Sequence, residues 1–320
     1  MKKNPETSPR HEAASLAYQN PAFLNSPDGR IVRILSEYSE PLARFRRERI
    51  QDTVVFFGSA RFQSLEDAKR ALARLDDPAS AAPASSHDQP AGHAAANGAE
   101  SFELRHRAEV AIEMAHYYED ARRLAYLLTQ WTQTFKSRRY RFVVTSGGGP
   151  GVMEAANRGA AEAGGKTIGL NIRLPFEQNA NPYITPSLNF EFHYFFMRKY
   201  WFAYLAKALV VFPGGFGTLD EFFELLTLAQ TQKLAKQITI VLYGSSYWKS
   251  LLNMATLVEK GTISPGDCDL FRMADTPEEA FQILREELTR NHLDHEGKHQ
   301  APTSPDEEQH LLNPEIARTR

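Results

Sequence analysis

The stretch Ala208-Leu209-Val210-Val211-Phe212-Pro213-Gly214-Gly215-Phe216-Gly217-Thr218-Leu219-Asp220-Glu221 decides the fold. Its first five residues are an unbroken apolar run of strand length. A run without polar alternation predicts a strand buried on both faces. The glycine turn then stops it, and a helix is expected from about 219 to 230. Strand, glycine turn and helix N-terminus together make the repeating half of a parallel α/β sheet.

The same unit recurs along the chain. Thr53-Val54-Val55-Phe56-Phe57 reads as a strand ending at Gly58-Ser59. Arg141-Phe142-Val143-Val144-Thr145 reads as a second, stopped by Ser146-Gly147-Gly148-Gly149-Pro150-Gly151, with a helix over 151–163. Thr167–Leu170 is a third, Leu209–Phe212 the fourth and Ile238–Leu242 the fifth. A long helix is expected over 102–136, with Leu104, Ala108, Ala111, Ala115, Tyr118, Ala125 and Leu128 near one face. Further helices are expected over 194–207, which is aromatic-rich, and 277–290, where Thr276 suits the N-cap and Pro277 the first helical position. The predicted fold is a doubly wound parallel sheet with helices on both faces. Such sheets bind ligands at the carboxyl ends of their strands, where every glycine turn above falls.

Composition narrows the function. The chain has 320 residues, 42% hydrophobic and 24% charged, with a formal net charge of -2. That excludes a mostly disordered chain or a coiled coil. It also argues against a general nucleic-acid binder, which needs surplus Lys and Arg to meet phosphates. No apolar run approaches the roughly 20 residues that span a bilayer, so no membrane partner is expected. The basic start Met1-Lys2-Lys3 is followed by no apolar segment, so a secretory signal is not expected. Cys268 is the single cysteine, which excludes an internal disulfide and fits a reducing cytoplasm. Residues 1–28, 76–101 and 294–320 are polar or small-residue sequence without periodicity and read as flexible. The rest, 29–293, reads as one domain interrupted by the 76–101 insertion.

Two glycine turns carry the chemical signal. The N–H groups of a helix N-terminus, with the helix dipole, favour an anion such as phosphate. Glycine lets a ligand come close to the backbone. For Ser146–Gly151 a tight turn without a ligand is an equal alternative. Two such turns in one domain strengthen the phosphate reading. Neither fits Gly-x-Gly-x-x-Gly, and Gly165-Lys166-Thr167 lacks both the first glycine and the helix of a phosphate-binding P-loop. Glu221 has two readings: a chemical carboxylate, or the partner of Thr218 in a Thr-x-x-Glu capping box. Arg198-Lys199 lies in the aromatic segment Phe195–Tyr204, where a half-buried Arg needs an anionic partner. Ser59, at a strand's end, suits a hydrogen bond to ligand. The ten histidines are scattered and none has metal-ligand spacing, so no metal is expected.

Pro213-Gly214-Gly215-Phe216-Gly217-Thr218-x-x-Glu221, the upstream Arg198-Lys199, Gly147–Asn157, Asn179–Tyr183 and Phe57–Arg61 together resemble the Lonely Guy family of nucleoside-monophosphate phosphoribohydrolases. That family was long labelled lysine decarboxylase. The resemblance covers roughly residues 50–260. It implies a Rossmann-like fold that binds AMP, or a cytokinin-type N6-substituted relative, and hydrolyses its N-glycosidic bond to free base and ribose 5-phosphate, without a cofactor. Arg198 and Glu221 fall on the catalytic pair. Gly214, Gly215, Gly217 and Thr218 fall on the phosphate loop. Lys199, Glu177 and Thr227 fall on nucleotide contacts, and Gly58, Ser59, Gly147, Gly148 and Gly149 on the flanking turns. The family implies a homodimer or larger assembly. The rival reading is a nucleotide sensor or carrier on the same fold, without catalysis.

Overall fold

A computed structural model describes residues 15–76, 93–174, 179–233 and 237–293. The chain divides into two compact units, residues 1–43 and 44–320. In the first unit, Ala17–Gln19 forms a 3-10 turn and Pro21–Leu24 a short helix α1, capped by the Asn20 side chain on Ala22 N–H at 3.1 Å. Helix α2, Arg30–Arg47, begins here, and its Arg33 guanidinium donates to Ser26 O at 2.8 Å. Part of the segment expected to be flexible is thus folded on itself.

The second unit holds the sheet. Its strands are β1 Thr53–Phe57, β2 Val143–Ser146, β3 Thr167–Ile172, β4 Asn189–Phe192, β5 Ala206–Val211, β6 Thr239–Tyr243 and β7 Arg272–Ala274. Its helices are α3 Leu65–Asp76, α4 His93–Thr132, α5 Val152–Glu162, α6 Phe195–Leu205, α7 Phe216–Gln230, α8 Ser245–Leu251, α9 Met254–Glu259 and α10 Pro277–Leu288. All seven strands pair in parallel, in the order β4-β3-β2-β1-β5-β6-β7. From β1 the chain winds outward through β2, β3 and β4, returns to lay β5 beside β1, and winds out the other way. The topological switch lies between β1 and β5, whose following turns are Gly58-Ser59 and Pro213-Gly214. This is the crevice in which open α/β sheets bind ligands.

Alternate strand residues face opposite layers. Val54, Phe56, Val144, Val210, Phe212 and Val241 join Ala121, Leu124, Ala125 and Leu128 of α4, Ala155 and Ala156 of α5, and Ala280, Leu284 and Leu288 of α10 in one core. On the other face Phe57 meets Phe202 of α6 edge-on at 5.0 Å. The helices thus cover both faces, as expected of near-continuous apolar strands.

Several elements differ from the sequence expectation. The long helix starts at His93, so residues 93–101 are its first turns rather than flexible insertion. On its apolar face Ala108, Ala115, Tyr118, Ala125 and Leu128 are buried, Ala111 is half-buried and Leu104 is exposed. Residues 77–92 and 294–320 lie outside the described residues. Two edge strands, β4 and β7, were not expected. Helix α5 begins at Val152, just after Pro150 and Gly151. Thr276 caps α10 as expected, accepting from Glu279 N–H at 3.2 Å.

Candidate functional site

Three turns at the carboxyl ends of the central strands are welded together by one residue. Ser59 N–H donates to Pro213 O at 3.0 Å, and Ser59 O accepts from Val152 N–H at 3.0 Å. The close approach explains two glycines. A Cβ on Gly151, at φ +70°, would lie 2.3 Å from Ser59 O, and one on Gly58 would strike the Val152 side chain at 2.7 Å. Gly58, Ser59 and the glycine turns after β2 and β5 are therefore one continuous surface. Around Gly148 the surface is braced from within. Ser146 Oγ receives Gly148 N–H at 3.0 Å and donates to Asn157 Oδ1 at 2.6 Å. Asn181 donates to Gly148 O, Gly149 O and Asn157 Oδ1.

The turn after β5 is built differently. Helix α7 starts at Phe216, directly among the glycines, with Gly215 at the N-cap and no side-chain cap. The capping-box reading of Thr218 and Glu221 is therefore overturned: both lie inside the helix, and the N-cap backbone has no need of Glu221. Gly215 and Gly217 are exposed, and a Cβ on either would meet nothing within 4 Å. The first N–H groups of α7 have no intrahelical carbonyl to bond. Bare amides and a helix N-terminus make an anion receptor. Thr218 packs over Gly214, whose Cβ would lie 2.1 Å from Thr218 Oγ1.

One turn further along the same buried face of α7 stands Glu221, 5% exposed. Across from it, Arg198 in α6 brings Nη2 to within 3.5 Å of Glu221 Oε1. The guanidinium lies 5.5 Å from the ring centres of both Phe195 and Phe202. Its Nε is buried with no hydrogen-bond partner among the described residues. Burial is the dominant influence on both partners. It pushes the Glu221 carboxyl up to about 7 despite the opposing pull of Lys199 and Arg198. It also lowers the Arg198 pKa, against the pull of Glu221. Lys199 is half-buried, and burial works against its charge, yet its bonds to Asp220 and Glu224 outweigh this and hold its pKa above the ordinary value. Its Nζ is 2.8 Å from Asp220 and 3.9 Å from Glu221. A carboxyl poised near neutrality beside a fixed cation can exchange a proton or steady a developing positive charge.

The structure thus brings together Gly58, Ser59, Gly147, Gly148, Gly149, Gly214, Gly215, Gly217, Thr218, Arg198, Lys199 and Glu221. Thr227 stands apart, exposed on the outward side of α7 beside Phe223. Glu177 lies outside the described residues. Sequence reasoning missed Tyr247, in α8. Its Oη donates to Gly214 O at 2.8 Å. That carbonyl belongs to the peptide whose N–H is Gly215, so the bond both fixes and polarises a donor of the bare turn. Trp248 holds Tyr247 in place: it is fully buried, bonds Tyr243 O through Nε1 at 3.0 Å, and meets the Tyr247 ring edge-on at 5.2 Å. The adjacent aromatics Tyr247-Trp248 carried no motif that could have revealed this.

A family-model match covers part of this site, from Arg198 to Tyr247. Residues 153–284 match the family model described as "Possible lysine decarboxylase". A cytokinin riboside 5'-monophosphate phosphoribohydrolase of Arabidopsis thaliana is 29% identical over 147 residues, 45% of this chain and 66% of its own. A probable enzyme of the same name from Oryza sativa subsp. japonica is 27% identical over 45% of this chain and 59% of its own. The chain thus spans less than two thirds of the length of these two curated relatives. Among solved structures, the Moco carrier protein of Chlamydomonas reinhardtii is 21% identical, with a TM-score of 0.38 over 55% of this chain and 89% of that one. On the matched segments and the motifs they contain, the chain is similar to the Lonely Guy phosphoribohydrolases and to the family model that carries the decarboxylase description.

Proposed function

We propose that the protein hydrolyses the N-glycosidic bond of a purine nucleoside 5'-monophosphate, AMP or an N6-substituted relative, to free base and ribose 5-phosphate. The observation that carries this reading is the buried carboxyl of Glu221, paired with Arg198, one helical turn from bare amides at a helix N-terminus. A phosphate receptor and a carboxyl at that spacing suit the two ends of one ribose phosphate.

In this reading the 5'-phosphate sits on the amides from Gly215 to Thr218, and Ser59 and the turn Gly147–Gly149 flank the nucleotide. The bond from the anomeric carbon to the base breaks, and its electron pair leaves with the base. The ribosyl centre becomes positive, which the Glu221 carboxylate stabilises. Water adds to the same carbon, and Glu221 takes its proton and passes it to the departing base, which regenerates the carboxylate. Arg198 holds the carboxylate and offers its unpartnered Nε to the substrate. Lys199 supports the reading against an imine-forming lysine. A lysine that attacks a carbonyl needs a lowered pKa, and Lys199 is held protonated.

An exposed apolar strip on α7, with Phe216 91% exposed and Phe223 beside it, supports a homodimer, in which Thr227 would reach the partner's nucleotide. A cytoplasmic setting fits the single cysteine. The test is incubation of the protein with AMP, other nucleoside monophosphates and adenosine, followed by chromatography for free base. Base released from a 5'-monophosphate and not from the nucleoside is expected. Tight AMP binding without base release would replace the hydrolase by the sensor.

A further inference from the structure

At the opposite end of the sheet, the chain entering the first three strands forms a cavity of about 460 Å³. Arg47 and Arg49 line it from the approach to β1, Arg138 and Arg139 from the approach to β2, and Lys166 from the start of β3. Glu48 is the sole carboxylate among the lining residues. Five cations and one carboxylate leave this cavity four charges positive in a chain whose total is -2.

The clustering is imposed by the fold. Tyr140 N–H donates to Arg49 O at 2.8 Å and Gln51 N–H to Tyr140 O at 2.9 Å, locking the two arginine segments together although they are about ninety residues apart in sequence. Lys166 bonds the one carboxylate, whose charge Arg47 also feels. Its Nζ lies 2.8 Å from Glu48 Oε2, a bond that pulls the Glu48 pKa below the ordinary value, and sits 4.2 Å over the Tyr140 ring. Among the described residues, no side-chain hydrogen bond or salt bridge is made by Arg47, Arg49, Arg138 or Arg139. Like charges held together repel, and acidic residues are plentiful elsewhere on the chain. Guanidinium forks match phosphate oxygens two at a time. Four of them around one concavity match more than one phosphate group, and the volume is that of a small-molecule site.

We infer that this cavity is a second binding site, for a compact ligand bearing two or more phosphate groups. It is separate from the proposed hydrolase site. The strands place the two ends of the sheet roughly 15–20 Å apart, so both can be filled at once. The inference does not depend on the hydrolase reading.

Calorimetry of the full chain with sodium tripolyphosphate tests it, run with and without saturating AMP. The expected result is one tripolyphosphate bound per chain, uncompeted by AMP and weakened at least tenfold in Arg138→Glu/Arg139→Glu. The variant Arg138→Lys/Arg139→Lys, which keeps the charge and loses the forks, is expected to fall between. AMP affinity stays unchanged in both. Absence of binding, binding that AMP displaces, or equal binding by the charge-reversed variant would overturn the site. So would a single-stranded RNA that binds more tightly than tripolyphosphate and is lost in the same variant, since the surface would then be a nucleic-acid groove.

Discussion

The turns after β2 and β5 look alike in sequence, and the structure sets them apart. Both run from a buried strand through paired glycines into a helix. In the first, the glycines answer to the protein's own interior. A Cβ on Gly147 would lie 2.7 Å from Met153 Sδ, and one on Gly148, at φ +76°, would lie 2.3 Å from Asn171 Oδ1. In the second, Gly215 and Gly217 answer to nothing inside the molecule: each faces open space, and Gly215 has an ordinary φ of -88°. The first turn is a brace, and the second is the one we propose as a receptor. Glycine-rich composition alone does not distinguish them; the contact each missing side chain would have made does.

The comparison can be broken most forcefully at the receptor's neighbour. Glu221→Gln should keep AMP binding and lose about 10²–10⁴ in turnover, the usual contribution of an acid–base group. It should also stabilise the fold. Burial raises the Glu221 pKa to about 7, so the folded state favours the protonated form. The stability this provides is complete below the unfolded carboxyl value and is lost as pH rises through 7. The gain in Tm from Glu221→Gln is therefore larger at pH 8 than at pH 5. In the brace, Gly148→Ala should cost about 1–3 kcal/mol of stability, read by urea unfolding, because it forces a side chain into a left-handed backbone and against Asn171. In the receptor, Gly215→Ala should leave unfolding unchanged and raise KM for AMP about tenfold, equivalent to about 1.4 kcal/mol. A drop in stability for Gly215→Ala, or none for Gly148→Ala, would erase the distinction. The smallest effect is expected at Tyr247→Phe, which deletes one hydrogen bond to Gly214 O worth about 0.5–1.5 kcal/mol. KM should rise several-fold while kcat holds.

The central strands were legible because Val54–Phe57 and Leu209–Phe212 are apolar without interruption, as expected of a strand covered on both faces. The edge strands were not. Asn189-Phe190-Glu191-Phe192 alternates polar and apolar residues with two exposed positions, and Arg272–Ala274 is three residues long. Both lean on one neighbour and need no apolar run. Helix α7 was expected three residues late because Gly-Gly-Phe-Gly reads as a breaker. That shift is what made a capping box of Thr218 and Glu221 plausible. Arg198, Lys199 and Glu221 could be named from sequence, but their pairing depends on how α6 and α7 face one another across a sheet turn. Tyr247 was invisible because its role lies in one hydroxyl reaching a neighbouring loop.

The account turns on Glu221 being the group whose ionisation enables bond cleavage. The pH dependence of base release from AMP, measured in the wild type and in Glu221→Gln, tests this most directly. The substrate phosphate, with a second pKa near about 6, titrates for both enzymes and cancels in the comparison. The wild-type rate should climb through about pH 7 and level off, and that inflection should be missing from the residual activity of the variant. A profile of the same shape in both enzymes would contradict it.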